Sequence, residues 1–413
     1  MARLGSLLKA LRSLAATRRD RRGNVALIFA LAAPVVIGLG GLSAESIYWY
    51  FKRVQLQSAA DAAAYAAAIE ARSGSAYASI QSTAASTAKS DGFAPAIGTI
   101  VVNTPPASGP NQNGNAVEVI LTQPQQRFFS QMFDTSRISQ TVRAVAVYKT
   151  ASNACILALN KSASGAAQVS GSATVVLDGC DVMANSISSA AITVAGSGQL
   201  TADCAVAVGG VTSNGSLTLK SCTAVQTQAS PVADPFANLP APAIPGACLS
   251  AGGTNLQPGY YCGGMSLSGN VTLQPGVYYV AGNGLKINSS TTVTGSGVTI
   301  YLSGSARVSM NGAAKATLSA PTSGTYAGVL FFGDRSSTGG SNTFNGTADS
   351  AITGDLYFPT QQVAYLGNFS GDDGCTHIVA DTVTMSGHSN VSVNCSSHGM
   401  SKIPAMQSVA LAE

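Results

Sequence analysis

The chain has 413 residues, of which 46% are hydrophobic and only 10% charged, with a net charge of +4. That length accommodates two or three domains, and the alternating apolar content excludes a disordered chain. Residues 1–22 carry seven basic side chains against one acid, whereas residues 151–413 carry seven against eleven. A basic excess confined to one short segment without interleaved aromatics excludes a nucleic-acid-binding domain.

Residues 1–24 form a basic lead. Leu4, Leu7, Leu8, Leu11 and Leu14 recur at helical spacing, and Arg18, Arg19, Arg21 and Arg22 close the segment. Residues 25–44 follow with no formal charge. Twenty helical residues rise ~30 Å, the thickness of a bilayer's hydrocarbon core. The arginines before this run outweigh Lys52 and Arg53 after it, which Glu45 offsets. The positive-inside rule therefore places the N-terminus in the cytoplasm and the remaining chain outside it. Tyr48, Trp49 and Tyr50 stand where an interfacial aromatic belt is expected. The run exceeds the ~7–15 residues of a signal-peptide core, and no good A-x-A site follows, so an uncleaved anchor in the lipid bilayer is expected. Ala26 and Ala30, and Gly40 and Ala44, have the small-x-x-x-small spacing that lets helices approach closely. Pro34 is expected to kink the span.

Residues 45–92 read as one extended alanine-rich helix, since alanine has the best helix propensity. Gly74 is its weak point, and Asp91-Gly92 with Pro95 ends it. Residues 93–150 read as a small strand-containing, pilin-like module. Its strands are expected at residues 97–102, 116–122 and 140–148, with alternation clearest around Val117, Val119 and Leu121. Residues 126–133 are expected to form a short helix that packs Phe128, Phe129, Met132 and Phe133 on the sheet.

Three features of the first stretch carry a family resemblance: Arg22-Gly23-Asn24, the apolar run with Pro34, and the exit from Gln55 to Ala64, QLQSAADAAA. Together, over about residues 18–75, they resemble the N-termini of the TadE/TadG-like proteins of bacterial tight-adherence (Flp) pilus-assembly systems. Where processed pilin-like members carry Glu, five residues after the cleavage glycine, this chain has Ile28. It also lacks the D-x-S-x-S metal motif of members with a von Willebrand type A domain. The stretches GVLFFGDR, ending at Arg335, and LYFP, from Leu356 to Pro359, are similar to the long C-terminal regions of some TadG-like proteins. The resemblance implies a single-pass inner-membrane protein whose helix meets other pilus-assembly proteins or pilin-like subunits.

Residues 151–413 are repetitive. Short β-rich runs such as 170–175, 196–201, 213–219, 266–273, 303–308 and 385–391 recur between Gly, Ser and Asn turns. Their spacing suits one coil of a parallel β-solenoid, while the Asn-Gly turns leave a β-sandwich as the alternative. The expected class is α+β, mostly β. A proline-rich break at residues 230–245 either crosses the solenoid side or links two sub-domains. In the stretch 200–208, Leu200, Ala202, Cys204, Val206 and Val208 share one face of a single strand, which would turn Cys204 inward. Residues 326–335 read as a buried central strand.

All eight cysteines fall in this region: Cys155, Cys180, Cys204, Cys222, Cys248, Cys262, Cys375 and Cys395. Their even number, the lack of any C-x-x-C and the outward topology point to a disulfide framework. Cys248 with Cys262 and Cys375 with Cys395 are the preferred pairs.

Chemistry is harder to place. His377, His388 and His398, with Asp372 and Asp373 nearby, fit no short metal motif. No metal or cofactor is expected. Asp334, Arg335, Asp349 and Asp355 are the best candidates for the carboxylates of a solenoid polysaccharide enzyme. Turn and cap roles suit them as well, because Asp favours turns. The expected function is structural: a membrane-anchored component of pilus assembly, with no catalytic site. A surface adhesin for polysaccharide or host surfaces is the alternative, and a solenoid carbohydrate-active enzyme the third.

Overall fold

The computed structural model describes residues 22–112, 114–366, 375–392 and 395–413. The described residues are mostly β, with two α-helices. They divide into two compact units. Among the described residues, one comprises 22–68, Ile80–Val147 and Leu411–Glu413; the other comprises Ile69–Ser79 and the described part of Tyr148–Ala410.

Helix α1, Arg22–Arg72, runs unbroken through Pro34. Its first part is apolar on every side: Leu27, Ile28, Phe29, Leu31, Val35 and Val36 are each at least 60% exposed. Beyond Leu56 the pattern changes. Ala59, Ala60, Ala63, Ala64, Ala67 and Ala68 recur every three or four residues and are fully buried, the stripe of a helix that packs on one side. The helix stops at Arg72. Gly74 adopts φ +72°, and the Gly74 and Ser75 amides donate back to the Ala71 and Glu70 carbonyls, the glycine-terminated helix end. The alanine-rich stretch is therefore two helices and not one, the second being α2, Tyr77–Ser90.

In the first unit β1 (Thr99–Asn103), β2 (Ala116–Gln125) and the start of β3 (Ile138–Ala158) form an antiparallel sheet. Val101 lies opposite Ile120, and Val119 opposite Ala144. The expected helix at 126–133 is not formed. Only Ser130–Met132 makes a 3-10 turn, and none of its residues is buried. The amides of Phe128 and Ser130 donate to the Glu45 carboxylate, which leaves the loop stretched across α1 and not coiled on the sheet.

The second unit is a parallel β-solenoid of roughly ten coils. Each coil contributes strands to three faces. On the first face the order is 259–261, 276–280, 298–302, 329–333, 355–358, 376–380, 156–158, 182–184 and 205–207. This order is not that of the sequence. The chain joins the stack in its middle, winds outward, and ends where Gln226 bridges Val206. It then reappears at the opposite end, where Cys248 bridges Tyr260, and winds back. The last coil docks on the first on all three faces: Ile378 over Ile156, Val383 over Ala167, and Val391 over Leu177. Parallel pairing across all three faces excludes the β-sandwich. Most of the repeats read in the sequence are the corner between the second and third faces, where Gly171, Gly196 and Gly269 take φ between 65° and 71°. Asn214-Gly215 is such a corner and not a hairpin, since the strands either side pair in parallel with earlier coils.

The proline-rich break is the crossover between the two ends. Asn185 brackets Val232, accepting from its amide and donating to its carbonyl, both at 2.8 Å. Further along, Tyr357 donates to Asp234 (2.6 Å), Arg335 donates to the Phe236 carbonyl, and Tyr326 donates to the Pro240 carbonyl. Val232 and Phe236 bury on the outer side of the first face, with Leu157, Met183, Phe332 and Tyr357. An aromatic ladder runs along that side: Tyr260, Tyr279, Tyr301, Phe332 and Tyr357 have successive ring centroids 5.0–5.4 Å apart. The Arg335 guanidinium lies 4.9 Å from the Phe332 ring centroid. Inside the stack, the coils that form after the crossover are filled by Tyr261, Tyr278, Phe331, Phe344, Phe358 and Tyr365. The coils formed before it are filled mainly by alanine and valine.

Four disulfides mark where the chain meets the stack. Cys155–Cys180 ties the first coil to the second, and Cys204–Cys222 ties down the coil before the crossover. Cys248–Cys262 fastens the coil after it, and Cys375–Cys395 closes the last coil. Among the described residues no cysteine is free. Cys204 does not point into the solenoid. Gln199–Ala202 and Ala205–Ala207 are separate strands on different faces, and the corner at Asp203-Cys204 shifts the alternation by one. Ala202 and Ala205 therefore both face the core, whereas Cys204 and Val206 belong to the outer cluster.

Each bond closes a short loop, so its removal is expected to cost ~2–4 kcal/mol. Replacing Cys204 and Cys222 together by serine should speed amide hydrogen exchange in residues 205–226 well before residues 376–392. Uniform loss of protection across all coils would contradict this end-capping role.

Candidate functional site

The first unit places its buried polar chemistry at the point where α1 leaves its apolar run. Glu45 is one residue past the last uncharged position and only 3% exposed. Its two carboxylate oxygens accept from the Phe128 amide (2.6 Å) and the Ser130 amide (2.9 Å). One turn on, the Trp49 indole donates to the Gln126 carbonyl at 3.1 Å, and Gln140 donates to the Trp49 carbonyl at 2.9 Å. Tyr48 meets Phe128 edge to face, with centroids 4.9 Å apart. The Arg127 guanidinium lies 5.9 Å from the Trp49 ring and pairs with Asp134 at 2.9 Å. Thus Tyr48 and Trp49 both hold a loop of the same unit, while Tyr50 stays 66% exposed. A clamp of this kind fixes a loop to a helix.

A second buried carboxylate, Glu118 on β2, accepts from Asn103 (2.6 Å), the Ala107 amide (3.1 Å) and Arg143 (2.5 Å). Burial pushes its pKa up, but these hydrogen bonds and the guanidinium charge outweigh burial and hold it below 4.5. Neither glutamate stood out in the sequence. Glu45 read there as a charge offset, and Glu118 as one position of an alternating strand.

The residues singled out for chemistry lie apart. Asp349 is exposed and 3.7 Å from Lys315. Asp334 caps its own turn through the Ser336 amide and reaches the Gly304 amide, both at 2.9 Å. Arg335 is held by Tyr357 and Phe236. His388 begins the strand His388–Ser392, and His398 ends a 3-10 turn. Asp372 and Asp373 lie outside the described residues, as do Arg18, Arg19 and Arg21; α1 begins at Arg22. Among the described residues no three metal-ligating side chains converge.

Among the described candidates, Asp355 and His377 come together. They pair across adjacent strands, with Asp355 Oδ1 3.2 Å from His377 Nδ1, and both are about 1% exposed or less. Among the described residues, Asp355 Oδ2 and His377 Nε2 have no hydrogen-bond partner. The pair lies at the head of the first-face strands, next to the Cys375–Cys395 bond. A groove of about 530 Å³ runs along the third face, lined by Thr272, Thr294, Thr317, Ser296 and Ser319.

A helix long and apolar enough to cross a bilayer, which holds a loop of its own unit, and a disulfide-bonded parallel β-solenoid define the class by architecture. Residues 23–72, all of α1 after Arg22, match the family model described as putative Flp pilus-assembly TadE/G-like. The match falls on the stretch that carries the resemblance in the sequence. No curated protein and no solved structure matches the chain.

The Asp355–His377 pair has a pH signature. Burial raises the Asp355 pKa above its ordinary 3.8, more than the neighbouring histidine lowers it. Above pH 3.8 the unfolded carboxyl ionises while the buried one keeps its proton, so the folded state binds more protons. Stability contributed by this group then falls as pH rises, until the raised pKa is passed. Asp355→Asn should flatten that fall in a series of thermal melts taken upward from about pH 4. An unchanged slope would mean that Asp355 titrates normally.

Proposed function

We propose that the chain is a membrane-anchored structural component of a bacterial tight-adherence pilus-assembly system. One observation carries this: the helix whose residues 23–72 match the pilus-assembly family model is also the helix that emerges apolar from the first unit. The basic lead favours a cytoplasmic N-terminus in the inner membrane and a periplasmic or extracellular β-rich body. The four disulfides support an oxidising compartment for that body. Gly40, with open space beside it, and the exposed Ala44 one turn on give the span a smooth strip for close approach by a pilin-like subunit or another assembly protein. The separation of Asp334, Asp349 and Asp355 into unrelated contacts supports a positioning role over a catalytic one.

A second reading, an adhesin for polysaccharide, draws on the threonine-lined groove of the third face, whose hydroxyls suit sugar hydroxyls. The two readings separate in one experiment. Residues 25–44 are replaced by an unrelated single-span helix of equal length, with Glu45 and everything after it retained. The pilus-assembly reading expects the variant to remain in the membrane and pilus formation to be lost. Normal pili and normal adherence would overturn it, since an adhesin needs only an anchor of any sequence.

A further inference from the structure

We propose that the loop of residues 128–133 is a second membrane-contact element, seated among the headgroups and upper acyl chains of the bilayer that α1 crosses. The inference rests on the reading of residues 25–44 as a membrane span, and it adds a surface that the span does not require.

Depth comes from Phe129. A Cβ on Gly41 would lie 2.3 Å from the Phe129 ring, so the ring packs against the helix at that glycine. Gly41 belongs to the uncharged run, three residues before its end. The loop therefore stands at the level of the last turn of the span, where aromatic side chains favour the interface.

Exposure comes from its neighbours. Phe128, Met132 and Phe133 are 57%, 81% and 78% exposed. Three large apolar side chains in six residues, adjoining a helix that is apolar all round, make one continuous apolar surface. A patch of this kind on a protein marks a contact site. Its continuity with the lipid-facing surface of α1 makes lipid the occupant.

Backbone chemistry removes the usual obstacle. Irregular backbone is costly in a bilayer because its amides lack partners. Here the Glu45 carboxylate accepts from the Phe128 and Ser130 amides, and the Phe133 and Asp134 amides donate to the Ser130 carbonyl. Arg127 keeps its guanidinium against Trp49, Ser136 and Asp134, at the flank where a cation meets headgroup phosphate. Glu45 is thus the residue that satisfies the Phe128 and Ser130 amides where the apolar loop meets the interface.

The test uses the full-length protein in liposomes and keeps Trp49, the chain's single tryptophan, whose emission is the baseline subtracted from that of each variant. Phe133→Trp supplies the reporter, and Met132→Trp in a parallel sample guards against a local packing effect. Leu31→Trp reports the span itself. The expected result is strong loss of emission at positions 132 and 133 with lipids brominated near the headgroup end of the acyl chains, and weak quenching by aqueous acrylamide. Quenching by acrylamide without bromine quenching would put the loop in water and overturn the proposal. Quenching by neither would mean that a second copy or another protein covers the loop, and would overturn it too. Bromine quenching at position 31 alone would retain the span and reject the loop. Absence of bromine quenching at all three positions would reject both.

Discussion

The solenoid depends on one set of backbone hydrogen bonds, those that join the last coil to the first. A parallel stack presents an unpaired edge at each end. This chain starts in the middle, so the coil containing Ile156 would offer a third edge and the coil containing Ile378 a fourth. Pairing them on all three faces removes both. The stack then has only two true ends, and its midpoint is a contact between residues more than two hundred apart in sequence. Closing such contacts late is a slow step in folding. The disulfides sit where that step is most exposed. Two fasten the coils where the chain joins and leaves the midpoint, and two fasten the ends where the crossover departs and lands.

The same economy of unpaired groups runs through the first unit. An apolar helix leaves no polar side chain to hold the loop that passes it. Glu45, placed one residue beyond the uncharged run, supplies two acceptors, and Trp49 supplies a donor one turn later. The helix needs the clamp to carry the loop; the loop needs the clamp to leave its apolar side chains outward.

Much of this was legible in the sequence, for identifiable reasons. The uncharged run and the glycine corners are local patterns, so a helix long and apolar enough to span a bilayer and the solenoid class are legible directly. Stacking order could not. Every coil has the same pattern, and nothing in Ile156 or Ile378 announces its partner; only the proline-rich break hinted that the chain leaves the stack. Cys204 was turned the wrong way because alternation was carried through a corner, and a corner resets it. Residues 126–133 were read as a packed helix because four large apolar side chains imply a core. Their surroundings depend on an acid eighty residues away, which no window of sequence contains. Glu45 and Glu118 were missed for the same reason: a buried carboxylate is recognised by what donates to it.

The account stands on the disulfide-bonded body lying outside the cytoplasm while α1 crosses the membrane. Labelling intact spheroplasts with a membrane-impermeant maleimide, with and without reductant, tests this directly. Labelling that appears only after reduction is the predicted result, because every described cysteine is bonded and the proposed topology puts them all outside. Protection under both conditions, with labelling only after lysis, would place the body in the cytoplasm and contradict the account.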